Sequence, residues 1–254
     1  MKNSAIKKAC AVLSILLGVS SVWATEYQER DEINRSFSLS AKARVEVSAI
    51  SGSVDIMAID GDEATVQIER TGRSRDDLDC NKVVLEQASG TLTIKSEAVD
   101  PQSCQITQVV YRVLLKLPRH VDVSIQGVSG PINIGEIEGA LRISGNSGNI
   151  NLARSGSGSW IAGNSGQTTI KLRKLDARGL ELSGNSGVIK LYVDEELNVD
   201  VKVSGLSGSV SSELPNVKFT KTGAADYYAR IGYGGPTIYV VGSSDSVTLL
   251  PYRE

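Results

Sequence analysis

Apolar residues recur at fixed distances from a Ser-Gly dipeptide that is repeated along most of the chain. When the glycine of each copy is taken as the origin, positions −7, −5, +2 and +4 are apolar in 25 of the 28 cases that seven copies offer. An apolar content of 41% would place only about 11 there. An alternation of apolar and other residues on both sides of a turn is typical of two short strands whose apolar side chains point inward. The pattern predicts seven two-strand units, with origins at Gly52, Gly90, Gly130, Gly148, Gly166, Gly187 and Gly208.

The spacing of these origins divides the chain into two halves. The last five origins lie 18, 18, 21 and 21 residues apart, and a short fixed period is typical of repeats that stack and bury their apolar faces against their neighbours. The first three origins lie 38 and 40 residues apart, which leaves room for an extra strand after each copy. We therefore predict an all-β fold: a β-solenoid of stacked two-strand repeats of 18–21 residues, with strand insertions in its N-terminal half.

A single β-repeat domain over residues 25–250 accounts for this pattern. Within it, residues 25–118 hold the inserted strands and residues 119–217 the regular repeats. Residues 218–250 are rich in Tyr and Gly, and we expect them to form a degenerate copy that caps the C-terminal end. Terminal repeats usually depart from the common pattern because they must cover an open strand edge.

The turns of three copies have the full sequence Gly-Asn-Ser-Gly. Glycine at −3 and at the origin predicts a backbone with positive φ, and the serine at −1 is suited to bond to the backbone of its own turn. Stacking in register would bring the three asparagines into a ladder. The residues predicted to form these turns are Gly145, Asn146, Ser147, Gly148, Gly163, Asn164, Ser165, Gly166, Gly184, Asn185, Ser186 and Gly187.

The first 24 residues have the features of an export signal. Lys2, Lys7 and Lys8 precede an apolar stretch that is short for a transmembrane helix, and Val22-Trp23-Ala24 is typical of a cleavage site. We expect residues 1–24 to be a signal peptide, and the mature protein to be periplasmic or secreted without a transmembrane anchor.

The net charge and the residue types of the mature chain argue against several classes of partner and active site. It would carry 24 Lys and Arg against 29 Asp and Glu, and this acidic balance argues against a nucleic-acid partner. His120 is the one histidine, so a metal site built on several histidines is excluded, and no serine lies in a nucleophile motif. We therefore predict no catalytic residue, no metal site and no cofactor.

The outward positions of the repeats offer a candidate binding face. Position −6 carries Arg142, Trp160, Glu181 and Lys202 in successive copies. An exposed tryptophan between charged side chains is suited to stacking on a sugar or to a protein contact. Because Ser159 occupies an apolar slot, a bulge that turns Trp160 inward is an equal alternative. The residues predicted to extend the face are Lys171, Tyr192 and Lys190.

The sequence resembles a bacterial family of unknown function labelled "putative adhesin", whose members are exported or membrane-attached and carry Ser-Gly-(Asp/Asn)-Ile repeats. The segments that carry the resemblance are Val45–Ile56, Asp60–Ile68 and the Gly-Asn-Ser-Gly-x-Ile units, and it covers most of the mature chain. It implies a β-strand repeat fold in the cell envelope and brings no catalytic residues.

Three functions are compatible with these observations. We favour a non-enzymatic, adhesin-like binding or scaffold module of the cell envelope, whose partner is an envelope protein or a surface glycan. The second is a periplasmic partner or sensor that modulates an envelope stress pathway. The third, a polysaccharide-active β-helix enzyme, would need acidic or basic residues that converge in one groove.

The two cysteines outside the signal peptide are predicted to form a disulfide. An oxidising compartment favours the pairing of Cys80 with Cys104, which stabilises the fold by about 3 kcal/mol on the chain-entropy model. Mass spectrometry of the exported, non-reduced protein should show the linked pair. Two free thiols would contradict the prediction.

Overall fold

The structure is a computed structural model that describes residues 29–40, 42–100, 104 and 108–253, without the side chains of residues 154–157. The predicted signal peptide lies outside the described residues. Nineteen strands and one short helix are present in them. The strands of the first half are β1 (Glu29–Ser38), β2 (Arg44–Ser48), β3 (Gly52–Ile59), β4 (Glu63–Gly72), β5 (Asn81–Ala88), β6 (Thr91–Ala98), β7 (Val109–Pro118), β8 (Asp122–Gln126) and β9 (Ile132–Ser144), and the helix is α1 (Arg75–Cys80).

The second half is made of strands alone in the described residues. They are β10 (Ile150–Ala162), β11 (Thr168–Leu172), β12 (Leu180–Ser183), β13 (Ile189–Val193), β14 (Val199–Ser204), β15 (Val210–Ser212), β16 (Thr220–Lys221), β17 (Tyr227–Ile231), β18 (Thr237–Val241) and β19 (Val247–Pro251). The all-β prediction is confirmed, and all nineteen strands belong to one curled sheet.

The strands stack in two parallel columns, which gives the molecule a solenoid-like architecture. In the first column the strands lie in the order β6, β2, β8, β9, β10, β12, β18 and β14. In the second column the order is β7, β3, β9, β10, β11, β13, β19 and β15. Strands β9 and β10 are long enough to contribute to both columns. We call a first-column strand, its turn and the following second-column strand a rung.

The core lies between the columns, and the inward positions that the sequence pattern predicts form a large part of it. Of the 28 positions, 24 are buried, and the others, which are half-buried, are Val83, Leu85, Val210 and Ser212. A fully buried aliphatic side chain contributes about 1.5–3 kcal/mol, a gain that chain entropy largely offsets. Thr168 is polar and buried, and its hydroxyl accepts a hydrogen bond of 3.0 Å from Asn164 Nδ2 in the preceding turn.

The second copy of the motif differs from the prediction, because it is not a rung. Strands β5 and β6 form an antiparallel hairpin, and its two-residue turn has positive φ at Ser89 and Gly90. Only β6 joins the first column, where it lies beside β2, while the inserted strand β7 lies beside β3 in the second column. The first layer of the stack is therefore formed by β6 and β7.

The C-terminal segment also differs from the predicted cap. Strands β18 and β19 form a regular rung, and this rung lies between the rung of β12 and β13 and the rung of β14 and β15. Its turn, Gly242 to Asp245, has aspartate where the other rungs have the origin glycine. The open edge of β14 is covered by β17, which pairs with it in antiparallel orientation.

The glycines of the turns serve two different purposes. Gly at −3 has φ near +60° in five rungs with the predicted glycine and again at Gly242, as expected for the left-handed region. At the origin, positive φ is found at Gly52 and at Gly90 of the hairpin, and the prediction is wrong for the later copies. The origin glycines of the later copies are needed because successive turns approach each other closely. A Cβ on Gly148, for example, would lie 2.0 Å from the carbonyl oxygen of Gly130 in the preceding rung.

The N-terminal end of the stack is closed by antiparallel strands and by α1. Strand β4 pairs with β7, and β1 pairs with β4. Arg70 is buried, pairs with Asp31 on β1, and donates to the carbonyl oxygen of Leu78 in α1 at 3.1 Å. Cys80, at the end of α1, is joined to Cys104 by a disulfide with a Cα–Cα distance of 5.5 Å.

Two substitutions in one turn should separate these two roles of glycine. Gly145→Ala meets no atom within 4 Å but must hold φ at +63°, and should lower the free energy of unfolding by about 1–2 kcal/mol. Gly148→Ala forces two rungs apart and should cost more than about 3 kcal/mol, at the upper end of overpacking effects. Urea unfolding followed by circular dichroism measures both. Equal losses would contradict the close-approach explanation.

Candidate functional site

The three predicted asparagines stack in neighbouring turns, but their amides contact the backbone. Asn146 and Asn185 each accept a hydrogen bond at Oδ1 from the backbone of the adjacent rung, from Val128 N at 3.1 Å and from Asn164 N at 3.0 Å. All three amides are buried. This line of turns therefore supports the stack and is not an accessible surface.

The serines of these turns also bond between rungs. Ser165 N donates to Asn146 O at 3.0 Å, and Ser186 N donates to Asn164 O at 2.9 Å. The hydroxyl of Ser147 donates to the carbonyl oxygen of Ser129 in the preceding rung at 3.3 Å. The prediction that the serine at −1 bonds to the backbone of its own turn is therefore wrong for Ser147, whose hydroxyl bonds to the neighbouring turn.

A row of outward side chains crosses the first column and is the stronger of two candidate surfaces. Neighbouring strands place its members in register, from β9 through β10, β12 and β18 to β14. Tyr239 lies between the two residues that the sequence pattern would place side by side, Glu181 and Lys202. We call this row the aromatic stripe; it consists of Arg142, Trp160, Glu181, Tyr239 and Lys202.

Cations and aromatic rings contact each other along the aromatic stripe. The guanidinium carbon of Arg142 lies 4.7 Å from the centroid of the Trp160 ring, and Lys202 Nζ lies 5.4 Å from that of Tyr239. Trp160 is half-buried on the outer face, between the buried residues Ser159 and Ile161. Such contacts hold the rings in place, while Trp160 stays partly exposed and Tyr239 is 43% exposed.

A small charged cluster lies at the β14 end of the aromatic stripe. The hydroxyl of Tyr228 donates to Asp200 at 2.5 Å, and Arg230 Nε donates to the same carboxylate oxygen at 3.0 Å. The hydrogen bond from Tyr228 lowers the pKa of Asp200 and raises the pKa of the phenol. Asp200 is therefore an ionised acceptor that fixes the orientation of Tyr228 next to Lys202.

The other residues of the predicted binding face lie elsewhere. Lys171, Lys190 and Tyr192 are on β11 and β13 in the second column, where Lys171 is opposite Tyr192. The two columns present different outer faces, because a strand in each column points its alternate residues into the shared core. The seven predicted residues thus form two sets, and Arg142, Trp160, Glu181 and Lys202 remain together.

A groove crosses the outer face of the second column and is the second candidate surface. It has a volume of about 810 Å³ and extends from β4 over β7, β3, β9 and β10 to β11. A row of polar side chains forms its floor: Asn151 Nδ2 donates to Asn133 Oδ1 at 2.8 Å, and Asn133 Nδ2 donates to Asp55 Oδ1 at 2.6 Å. The half-exposed Met57 adds an apolar wall.

Groups with catalytic or metal-binding potential are not concentrated elsewhere in the described residues. His120 is exposed, and its Nδ1 lies 3.0 Å from Glu138 Oε2. Asp60 accepts from Arg119 Nε at 3.0 Å. Over the part of the chain that the structure describes, no group of three or more His, Cys, Asp or Glu could hold a metal ion. In that same part, no helix is long and apolar enough to cross a membrane.

Sequence reasoning missed Tyr239 and the groove for different reasons. Tyr239 belongs to the rung whose turn lacks the origin glycine, so its strand was not aligned with the others. Asp55, Asn133 and Asn151 occupy position +3 of three copies, and alternation alone assigns them to the outer face. The face forms a groove because the sheet curls, and this curl cannot be predicted from the local pattern of apolar and polar residues.

Comparison with known proteins gives a family and a set of distant structural relatives. The structure resembles a protein from Clostridium sporogenes ATCC 15579 described as a putative cell adhesion protein, with 10% identity over 88% of this chain and all of the other, and a TM-score of 0.47. It also resembles a protein from Bacteroides fragilis NCTC 9343 described as a putative adhesin, with 12% identity, coverage of 87% and 97%, and a TM-score of 0.40.

A third structure, from Parabacteroides distasonis ATCC 8503, is described as a putative lipid binding protein; its identity is 16%, its coverage 87% and 97%, and its TM-score 0.29. No curated protein matches the sequence significantly. The family model described as Toastrack DUF4097 matches residues 28–250, which is most of the chain. The chain therefore belongs to the Toastrack DUF4097 family.

Proposed function

We propose that the protein is a non-enzymatic, adhesin-like binding module that acts outside the cytoplasm, and that its aromatic stripe binds a glycan of the cell surface. The observation that carries the proposal is the aromatic stripe itself, which lines up Trp160 and Tyr239 with two cations on neighbouring strands. Its scaffold is a β-solenoid in which each rung supplies one outward side chain to the stripe.

The geometry of the aromatic stripe suits a chain of sugars. Strands in a sheet lie about 4.8 Å apart, so the four steps from Arg142 to Lys202 span roughly 19 Å. Aromatic rings stack on the apolar faces of sugars, while Glu181 and the cations offer partners for hydroxyl groups. Because the backbone ladder and the cation contacts already fix these side chains, little side-chain entropy is lost on binding.

The charges on the aromatic stripe favour binding over hydrolysis. Glycosidases place two carboxyl groups on either side of one glycosidic bond. Glu181 is the one carboxylate among the five side chains of the stripe, and it lies between the two aromatic residues. The stripe is therefore built to hold a ligand along its length.

A protein partner in the envelope is the second candidate. Tryptophan, tyrosine and arginine are the residues that most often dominate the binding energy of protein interfaces, and the aromatic stripe contains all three. This surface would serve the partner or sensor function. The same side chains would then contact a discrete envelope protein.

Removal of one aromatic side chain should abolish most of the binding. We expect Trp160→Ala and Tyr239→Ala each to weaken binding to an immobilised panel of purified bacterial surface polysaccharides about thirtyfold, the effect of losing roughly 2 kcal/mol at a binding hot spot. Tyr233→Ala is the matched control, because Tyr233 is 94% exposed and lies outside the stripe. Biolayer interferometry measures the affinities, and Trp160 fluorescence reports binding directly.

Three results would contradict the proposal in different ways. Equal affinities for all three variants would show that the aromatic stripe does not bind the polysaccharide. A photo-crosslinker at position 202 that captures one envelope protein in cells would favour the partner or sensor function. The release of reducing or unsaturated ends from polygalacturonate or alginate would show that the protein is an enzyme that cleaves polysaccharides.

A further inference from the structure

We propose that the groove on the second column is a separate binding site for a linear acidic polysaccharide of the polyuronate type. The inference goes beyond the glycan site of the aromatic stripe, because it concerns the other column and depends on charge. It rests on three features of the groove, namely its unpaired cations, its polar floor and its open shape.

Three cations, Arg30, Arg112 and Lys171, and two carboxylates, Glu69 and Asp55, lie at the groove, which leaves a net charge of +1. Glu69 is paired with Arg30 at 2.5 Å, and the carboxylate of Asp55 accepts the amide of Asn133. Arg112 and Lys171 line the groove and are exposed. Neither cation makes an ion pair or a hydrogen bond with any side chain that the structure describes. A negatively charged ligand would therefore gain two charge partners without displacing existing ones.

The two cations lie far apart, which indicates an extended ligand. Arg112 is on β7 and Lys171 on β11, with β3, β9 and β10 between them. Four strand spacings correspond to roughly 19 Å across the sheet. A small anion could contact only one of these cations. A linear polyanion that crosses the strands reaches both, and its carboxylates match the planar guanidinium of Arg112 and the ammonium of Lys171.

The floor of the groove suits hydroxyl groups. Asp55, Asn133 and Asn151 form a hydrogen-bonded row that runs across the strands between the two cations, with Arg112 two residues to one side of the row and Lys171 two residues to the other. Each amide in this row uses one N–H in the row and has a second for a ligand. Sugar hydroxyls can both donate to and accept from such a row. A chain of uronate sugars that crosses this row obliquely would therefore find hydroxyl partners along it and one cation at each end.

An acyl chain fits the same groove poorly. Burying the amides of Asn133 and Asn151 under a hydrocarbon would leave their free donors and acceptors without partners, at a cost of about 1–3 kcal/mol for each. The groove is also open along its length. Room in it comes from the small residues Gly135 and Ala153, while Met57 is the exposed apolar side chain of its wall.

The test compares the binding of polygalacturonate oligomers by the mature protein and by charge-neutralised variants. We expect the double variant Arg112→Gln, Lys171→Gln to bind at least tenfold more weakly than the wild type. Its affinity should also depend less on salt, because fewer ion contacts remain to be screened. Lys218→Gln, an exposed lysine in the segment after β15, is the matched control and should bind as the wild type does. Isothermal titration calorimetry at low and at physiological ionic strength measures the affinities.

The variants also separate this site from the aromatic stripe. Trp160→Ala should leave the affinity for polygalacturonate unchanged, whereas it weakens binding at the stripe. Equal affinities of the double variant and Lys218→Gln, or equal binding of neutral dextran and polygalacturonate, would overturn the proposal. Binding to vesicles of phosphatidylglycerol with no binding to polygalacturonate would also overturn it, in favour of a lipid surface. Unchanged thermal unfolding shows that the double variant is folded.

Discussion

The distance between successive turns is the constraint on which the rest of the molecule depends. Parallel strands hydrogen-bond at one spacing, and the turns that join them must stack at that spacing too. At Gly130, Gly148, Gly166 and Gly187 the backbone of one rung therefore approaches the next so closely that no side chain fits between them. Once the turns stack at this spacing, the strands lie in register. The pleat of each strand then points alternate side chains into the core and towards the outer faces.

Selection can act on the two outer faces almost independently of the fold. Most inward positions are apolar, and the close approach of successive turns requires glycine at most origins, but an outward side chain needs only to tolerate a strand. The aromatic stripe uses this freedom to place rings and cations in register over five strands. The groove uses it differently, with short polar side chains and two distant cations. One scaffold thus presents two chemically different surfaces on opposite columns.

The pattern of the sequence was sufficient to predict the all-β class, most of the inward residues and the positive φ of the glycines at position −3, because these depend on local geometry. It failed where pairing between distant segments decides the structure. The turn at Asp245 lacks the expected glycine, so this segment was predicted to be a degenerate capping copy and not a regular rung, and Tyr239 was not aligned with the aromatic stripe. The place of β6 and β7 in the stack depends on strand pairing that no local signal records. Ser159 and Thr168 are polar residues at inward positions, and the Thr168 hydroxyl accepts a hydrogen bond from the amide of Asn164.

The position of the last rung has a consequence for how the chain is made. Strands β18 and β19 are synthesised after the rungs of β12 and β14, yet they lie between these two rungs. A stack built in the order of synthesis would pair β12 directly with β14 and leave no place for them. The layers from β12 to β15 must therefore wait until β18 and β19 have been synthesised, or open again to admit them. A chain that stops before β18 would have to pair these layers differently from the folded protein.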